Sequence, residues 1–296
     1  MKKHTKKLAN NAIQLGMLLT LMPLSAAYAS DRIVGCYKHE LHSINADGSG
    51  FKRLTDYKVP GHAPTCKSPS QTADQSEIFW SYDPEFHGGM SLFKFNGKND
   101  KDVVRLTPKP RKKDAGTWDS SVSPNGKYST FAADRNGQWQ IYKITTASKK
   151  IENISQTNTD AAYAKWSPDN KQIVYAEFGK DEVAKLYIMN ADGSHKHALV
   201  ADGNVNKSPA WSPNGKTIAY TVHNGRKAQL WTINLATKQK QLVTKDVEQY
   251  SSVSWSKNSD RLVYIAGNKR LSIINVDGSG KTTVGNKTGF YEPFWH

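Results

Sequence analysis

Few side chains in this sequence have types and spacings that could do chemistry. His39, His62, His87 and His223 are imidazoles of the kind that ligate a divalent cation, although no His-x-Glu-x-x-His spacing holds them together. Cys36 and Cys66 are the only cysteines. Gly48-Ser49-Gly50 and Gly278-Ser279-Gly280 read as hairpin turns, and no Gly-x-Ser-x-Gly elbow for a nucleophilic serine occurs. Lys109-Pro-Arg-Lys-Lys113 places Arg111, Lys112 and Lys113 in one short basic run. Trp118, Asp119, Tyr163, Lys207, Tyr291 and Glu292 share no local motif. Any common role for them must come from the elements that carry them.

Those elements repeat. Anchors at Cys66, Val122, Trp166, Trp211, Trp255 and Trp295 recur with a period near 44 residues. Nine residues after an anchor an apolar run ends in an aromatic, at Phe131, Tyr175, Tyr220 and Tyr264; Trp80 takes this role after a longer gap, which predicts an insertion within 68–75. A third column follows at Leu41, Leu92, Ile141, Leu186, Leu230 and Leu271. Between columns lie turn signals such as Ser212-Pro-Asn-Gly215 and Asn190-Ala-Asp-Gly193, where glycine supplies the positive φ of a tight hairpin. Four short strands per unit, six times over, predict an all-β fold: a six-bladed β-propeller of four-stranded antiparallel blades.

The first unit, 32–55, has its second, third and fourth strands but no first strand, while 290–296 reads as a first strand with nothing after it. The C-terminal strand is therefore expected to complete the N-terminal blade and close the ring, leaving no free sheet edge between them. Cys36 and Cys66 then fall on adjacent blades, where a disulfide would pin the composite blade to its neighbour.

The phrase Ser208-Pro-Ala-Trp-Ser-Pro-Asn-Gly-Lys-Thr-Ile-Ala-Tyr220, its near copy Ala164 to Tyr175, and Leu186-Tyr-Ile-Met-Asn-Ala-Asp-Gly-Ser194 resemble the TolB-type (WD40-like) propeller repeat. The resemblance covers nearly all of the chain after its leader and is strongest in units four to six. It is to the C-terminal propeller of TolB without that family's N-terminal α/β domain. Similar blades occur in propeller-bearing peptidases and in oligogalacturonate lyases, so the repeat implies a fold more than a function. The lyase resemblance would imply a histidine-bound divalent metal and β-elimination of a uronate, with His39, His62, His87 and His223 on or near one face. His195 and His197 fall beside a turn on the other face.

Propeller geometry also gathers the scattered residues. Positions three and four before each anchor begin the innermost strand and converge on the axis. Asp119, Tyr163 and Glu292, with His62, Trp118, Lys207 and Tyr291, are therefore expected to rim the channel mouth. Arg111, Lys112 and Lys113 lie in a loop on the same face and could steer an acidic ligand.

Residues 1–29 read as a signal peptide: four lysines, an apolar run too short to span a bilayer, and Ala27-Tyr-Ala29 as a cleavage site. The domain is then 30–296, exported to the periplasm. The formal charge of +15 remains clearly positive without the four leader lysines. It favours acidic partners, yet nothing resembles a nucleic-acid module. The expected protein is a monomeric, non-enzymatic binding module without cofactor, taking a periplasmic or envelope protein through the channel mouth. The alternative is a carbohydrate-active protein that binds an acidic polysaccharide through a divalent metal.

Overall fold

In the computed structural model the described residues are 31–55, 65–83, 89–96, 102–110, 116–135, 137–179, 183–225, 227–249 and 251–295. The expected leader at 1–29, the basic run Arg111 to Lys113, and His62 and His87 lie outside them.

Among the described residues there is no helix, and twenty-four strands form six antiparallel four-stranded sets. Blade two starts with Thr65–Gln71, blade three with Trp118–Val122, blade four with Asp160–Trp166, blade five with Val205–Trp211 and blade six with Val253–Trp255. Blades four and five are joined by one parallel pairing, Ala184 with Val205. Blade one takes its first strand from Phe290–Trp295, which pairs antiparallel with Arg32–Tyr37, followed by Glu40–Asn45 and Lys52–Arg53. Each first strand touches the first strand of the next blade, and Phe290–Trp295 touches both its neighbours, so the ring is closed.

The columns read from the sequence are the seams between blades. Trp80, Phe131, Tyr175, Tyr220 and Tyr264 are fully buried, as are Leu41, Leu92, Ile141, Leu186, Leu230 and Leu271. Each sheet is apolar on both faces because each face packs against a neighbouring blade, so the strands read as near-continuous apolar runs. Blade one departs from the aromatic column at Gly35, where a Cβ would run into the Phe290 ring. The ring that fills this space thus comes from the far end of the chain.

Blade two corrects the repeat assignment. Its anchor is Gln71, nine residues before Trp80, and not Cys66. Thr72 N–H donates to Glu77 O as Ser123, Ser167, Ser212 and Ser256 donate to the equivalent carbonyls of their hairpins. Gln75 has φ 59° where Gly126, Asn170, Gly215 and Ser259 also have positive φ. No insertion occupies 68–75: Thr72 Oγ1 closes the hairpin on Asp74 as Ser212 Oγ closes its own on Asn214. Cys66 sits five residues upstream, paired in register with Tyr82, and forms a disulfide with Cys36 across a Cα–Cα distance of 5.7 Å. Gln71 escaped notice because its side chain is neither aromatic nor apolar.

The composite blade is held on both flanks. Towards blade six, Arg261 Nη2 donates to Asp31 Oδ2 at 3.0 Å and its guanidinium lies 4.8 Å from the Trp295 ring. Trp295 N–H also donates to Ser254 Oγ at 3.0 Å. Towards blade two lie the disulfide and an ion pair between Lys67 and Glu292 at 3.4 Å.

Candidate functional site

A cavity of about 370 Å³ runs along the axis, walled by the first strands of all six blades. Its middle is apolar: Trp166, Trp211, Trp255 and Trp295 line it together with prolines such as Pro168 and Pro213. The anchor indoles also stitch the wall together. Trp166 Nε1–H donates to Ser121 O at 3.2 Å and Trp255 Nε1–H to Ala210 O at 3.0 Å, each in the preceding blade.

The mouth is built by a repeated backbone device. Ser68, Asp119, Tyr163, Ser208 and Glu292 all have φ between 47° and 59°. Each lies at a register shift where its first strand bulges against the second, between Lys67 and Ser70 in blade two and between Lys207 and Ala210 in blade five, for example. A bulge with one left-handed residue bends the strand and re-aims its side chain and amide. Here it turns five side chains, with Ser252 of blade six, into the channel lining. Positive φ at bulky or acidic residues is unfavourable, so the surrounding ring must impose it.

Two of the five carry carboxylates, and each faces the amide of the next blade's bulge residue. Glu292 Oε2 accepts from the Ser68 N–H, and from Ser68 Oγ at 3.4 Å. Asp119 is faced in the same way by the Tyr163 N–H. Two ammonium groups complete the mouth. Lys67 pairs with Glu292 and lies 5.1 Å from the centre of the Tyr291 ring. Lys165, two residues after the Tyr163 bulge, lines the cavity and is attracted by Asp119 and Glu292. Burial, with the Glu292 charge adding to it, pushes the Asp119 carboxyl up to about 6, against the pull of Lys165 and Lys67. Burial pushes the Lys165 ammonium down.

Of the residues expected at the mouth, the structure brings Asp119, Tyr163 and Glu292 into the channel wall. Trp118, Lys207 and Tyr291 are not among the residues that line this cavity, and each has its own contact beside it. Trp118 stands edge-on to Trp139, Lys207 lies over the Phe178 ring, and Tyr291 lies under Lys67. The position expected for His62 belongs to Lys67, following the shift of the blade-two anchor. Lys67, Ser68 and Lys165 are site residues the sequence reading missed; Lys165 was hidden inside the scaffold phrase Ala164 to Tyr175.

Of the four histidines weighed as metal ligands, His39 and His223 are described, and they stand in blades one and five. His223 is half-buried on Thr221, whose Oγ1 is 2.9 Å from Nε2, and burial beside Lys207 pushes it down to about 4. His39 is exposed at the turn of blade one. Among the described residues no group of three or more His, Cys, Asp or Glu side chains is placed to hold a metal. No described helix is long and apolar enough to cross a membrane.

Comparison with known proteins agrees with this architecture. Residues 177–295 match the TolB beta propeller domain family. An uncharacterized protein of Agrobacterium fabrum is 26% identical over 219 residues, 68% of this chain and 67% of its own length. The Tol-Pal system protein TolB of Legionella pneumophila is 37% identical over 59 residues, 20% of this chain and 14% of its own length. The matched segment thus spans far less than two thirds of that TolB sequence. Among solved structures, TolB from Acinetobacter baumannii superposes with a TM-score of 0.76 at 20% identity, covering 90% of this chain and 67% of that one. A putative TolB from Agrobacterium tumefaciens gives 0.68 at 15% identity, covering 90% and 96%.

Proposed function

Starting from a chain that resembles the TolB-type propellers in both repeat and fold, we propose that it is an exported, non-enzymatic binding module that takes a segment of a cell-envelope protein into its channel mouth. The observation that carries this reading is the axial channel itself. Its bulge residues face inward, its mouth is charged, and its walls below are apolar. An apolar cleft with a few convergent polar groups is the usual form of a binding site. The lining suits a polypeptide segment, whose side chains can meet the indoles while its polar atoms meet the mouth. The Tol-Pal system named for the TolB relatives makes an envelope protein the leading class of partner, and the reading places the protein in the periplasm.

Site-specific photo-crosslinking tests it. A benzophenone side chain at Tyr163 should give a discrete protein adduct from envelope extract, and the same group at Lys149, exposed at a turn remote from the channel, should give none. Equal labelling from both positions, or none from Tyr163, would count against the mouth as the site. A uronate polymer protecting Tyr163 from labelling, together with stoichiometric divalent metal in the purified protein, would favour the carbohydrate reading instead.

A further inference from the structure

Lys165 differs from the other charges of the mouth. Lys67 has its counter-ion in direct contact at 3.4 Å. Lys165 lines the channel, feels the charges of Asp119 and Glu292, and yet has no ion-pair or hydrogen-bond partner among the described residues. Lys165 is only part-buried in the channel wall, so its ammonium remains open to an incoming counter-ion. The carboxylates that could approach it are held elsewhere. Glu292 is engaged by Ser68 and Lys67, and Asp119 is oriented by the Tyr163 amide.

Resting on the reading of the channel as a site for a polypeptide segment, we propose that Lys165 receives a carboxylate from that segment, an Asp or Glu side chain flanked by apolar residues, and that Asp119 takes up a proton as it arrives. The apolar channel wall favours an acidic peptide over a uronate polymer, since sugar hydroxyls passing the indoles and prolines would leave water without replacement hydrogen bonds.

The proton follows from the groups around Asp119. It is faced by Glu292 from the closing strand, Lys165 and the Tyr163 amide from blade four, and Lys67 from blade two. A ligand carboxylate on Lys165 weakens that lysine's pull on Asp119 and adds a third negative charge beside Asp119 and Glu292. Both changes hold the Asp119 proton more tightly. The ligand carboxylate itself, with an ordinary value near 4, stays ionised at pH 5.5. Affinity therefore rises as pH falls through about 6.

A random octapeptide display library selected on the intact protein at pH 5.5 tests both parts. The expected outcome is enrichment of one Asp or Glu among apolar residues. An enriched peptide should bind about sixfold more weakly at pH 7.5, corresponding to a shift of one unit in Asp119. Its Asp→Asn version should lose at least tenfold, as should the wild-type peptide against Lys165→Met. Asp119→Asn should bind the peptide with an affinity that no longer differs between pH 5.5 and pH 7.5. Enriched peptides without an acid, or binding indifferent to Lys165→Met in a variant that melts like wild type, would overturn the proposal and leave the channel reading standing. Failure to enrich any peptide displaced by blocking the channel at Tyr163 would overturn both.

Discussion

The carboxylate of Glu292, four residues from the end of the chain, accepts the backbone N–H of Ser68, 224 positions away. One side chain thereby belongs to the strand that closes the ring, to the seam between blades one and two, and to the charged mouth of the channel. The Asp119 carboxylate and the Tyr163 amide repeat the arrangement two seams along, between blades three and four. Mouth and scaffold are therefore coupled: residues available to a ligand also set how neighbouring inner strands sit against each other.

Glu292→Ala should destabilise the protein by about 1 to 3 kcal/mol, because it strips a charged acceptor from the Ser68 amide and leaves Lys67 without its ion pair. Glu292→Gln keeps an acceptor oxygen and should cost less. Asp47→Ala, at an exposed hairpin where the carboxylate accepts from Ser49, should cost least of the three. Urea denaturation of the three variants checks the order, and equal losses would contradict the seam role of Glu292.

The packing of Phe290 over Gly35 gives a second prediction. Gly35→Ala places a methyl group where the Phe290 ring lies, so the closing strand or the ring must shift. Overpacking of this kind costs about 1 to 3 kcal/mol. Phe290→Leu should recover part of the loss in the double variant, because a smaller side chain makes room. Thermal melts of the two single variants and the double variant measure the coupling; simple additivity would show that the two sites do not meet.

Reduction of the disulfide gives a third. Cys36 and Cys66 close a loop of sequence separation 30, for which loss of the crosslink costs about 3 kcal/mol. Reductant should lower the melting temperature of the wild type and leave the Cys36→Ser, Cys66→Ser double variant unchanged at its own lower value. Cooperativity should survive, because backbone pairing of Phe290–Trp295 with Arg32–Tyr37 still closes the ring.

Much of the fold was legible because packing repeats. Buried columns such as Tyr175, Tyr220 and Tyr264 meet the same seam in every blade, so they recur in type as well as in spacing. Closure was legible from a missing first strand at one end and an orphan strand at the other. The site was legible only in position. Its bulge residues share a backbone conformation, and Ser68, Asp119, Tyr163, Ser208 and Glu292 have no side-chain type in common by which to find it. Gln71 carries no side-chain signal of the repeat, because its place is fixed by hairpin hydrogen bonds that any residue can make. Lys165 stands in a phrase otherwise devoted to scaffold, and only the channel wall shows that it faces the axis.

Asp119 makes the stability of the protein depend on pH in a direction opposite to that of most surface carboxylates. Its ordinary value is 3.8 and its folded value about 6, so the folded state binds this proton more tightly than the unfolded chain. Its contribution is fully present below about 4 and is lost as pH rises through about 6. Between pH 7.5 and pH 5 this group alone should add about 1 kcal/mol to folding stability. Asp119→Asn removes the titration while leaving an oxygen for the Tyr163 amide. Histidines whose values burial lowers, such as His223 and His42, work the other way over this range and mask the effect in the wild type alone. The quantity to measure is therefore the difference in unfolding free energy between wild type and Asp119→Asn at each pH. It should move by about 1 kcal/mol in favour of the wild type on acidification to pH 5. A difference that stays flat from pH 7.5 to pH 5 would show that Asp119 ionises like an ordinary carboxylate and that the channel mouth does not withhold it from water.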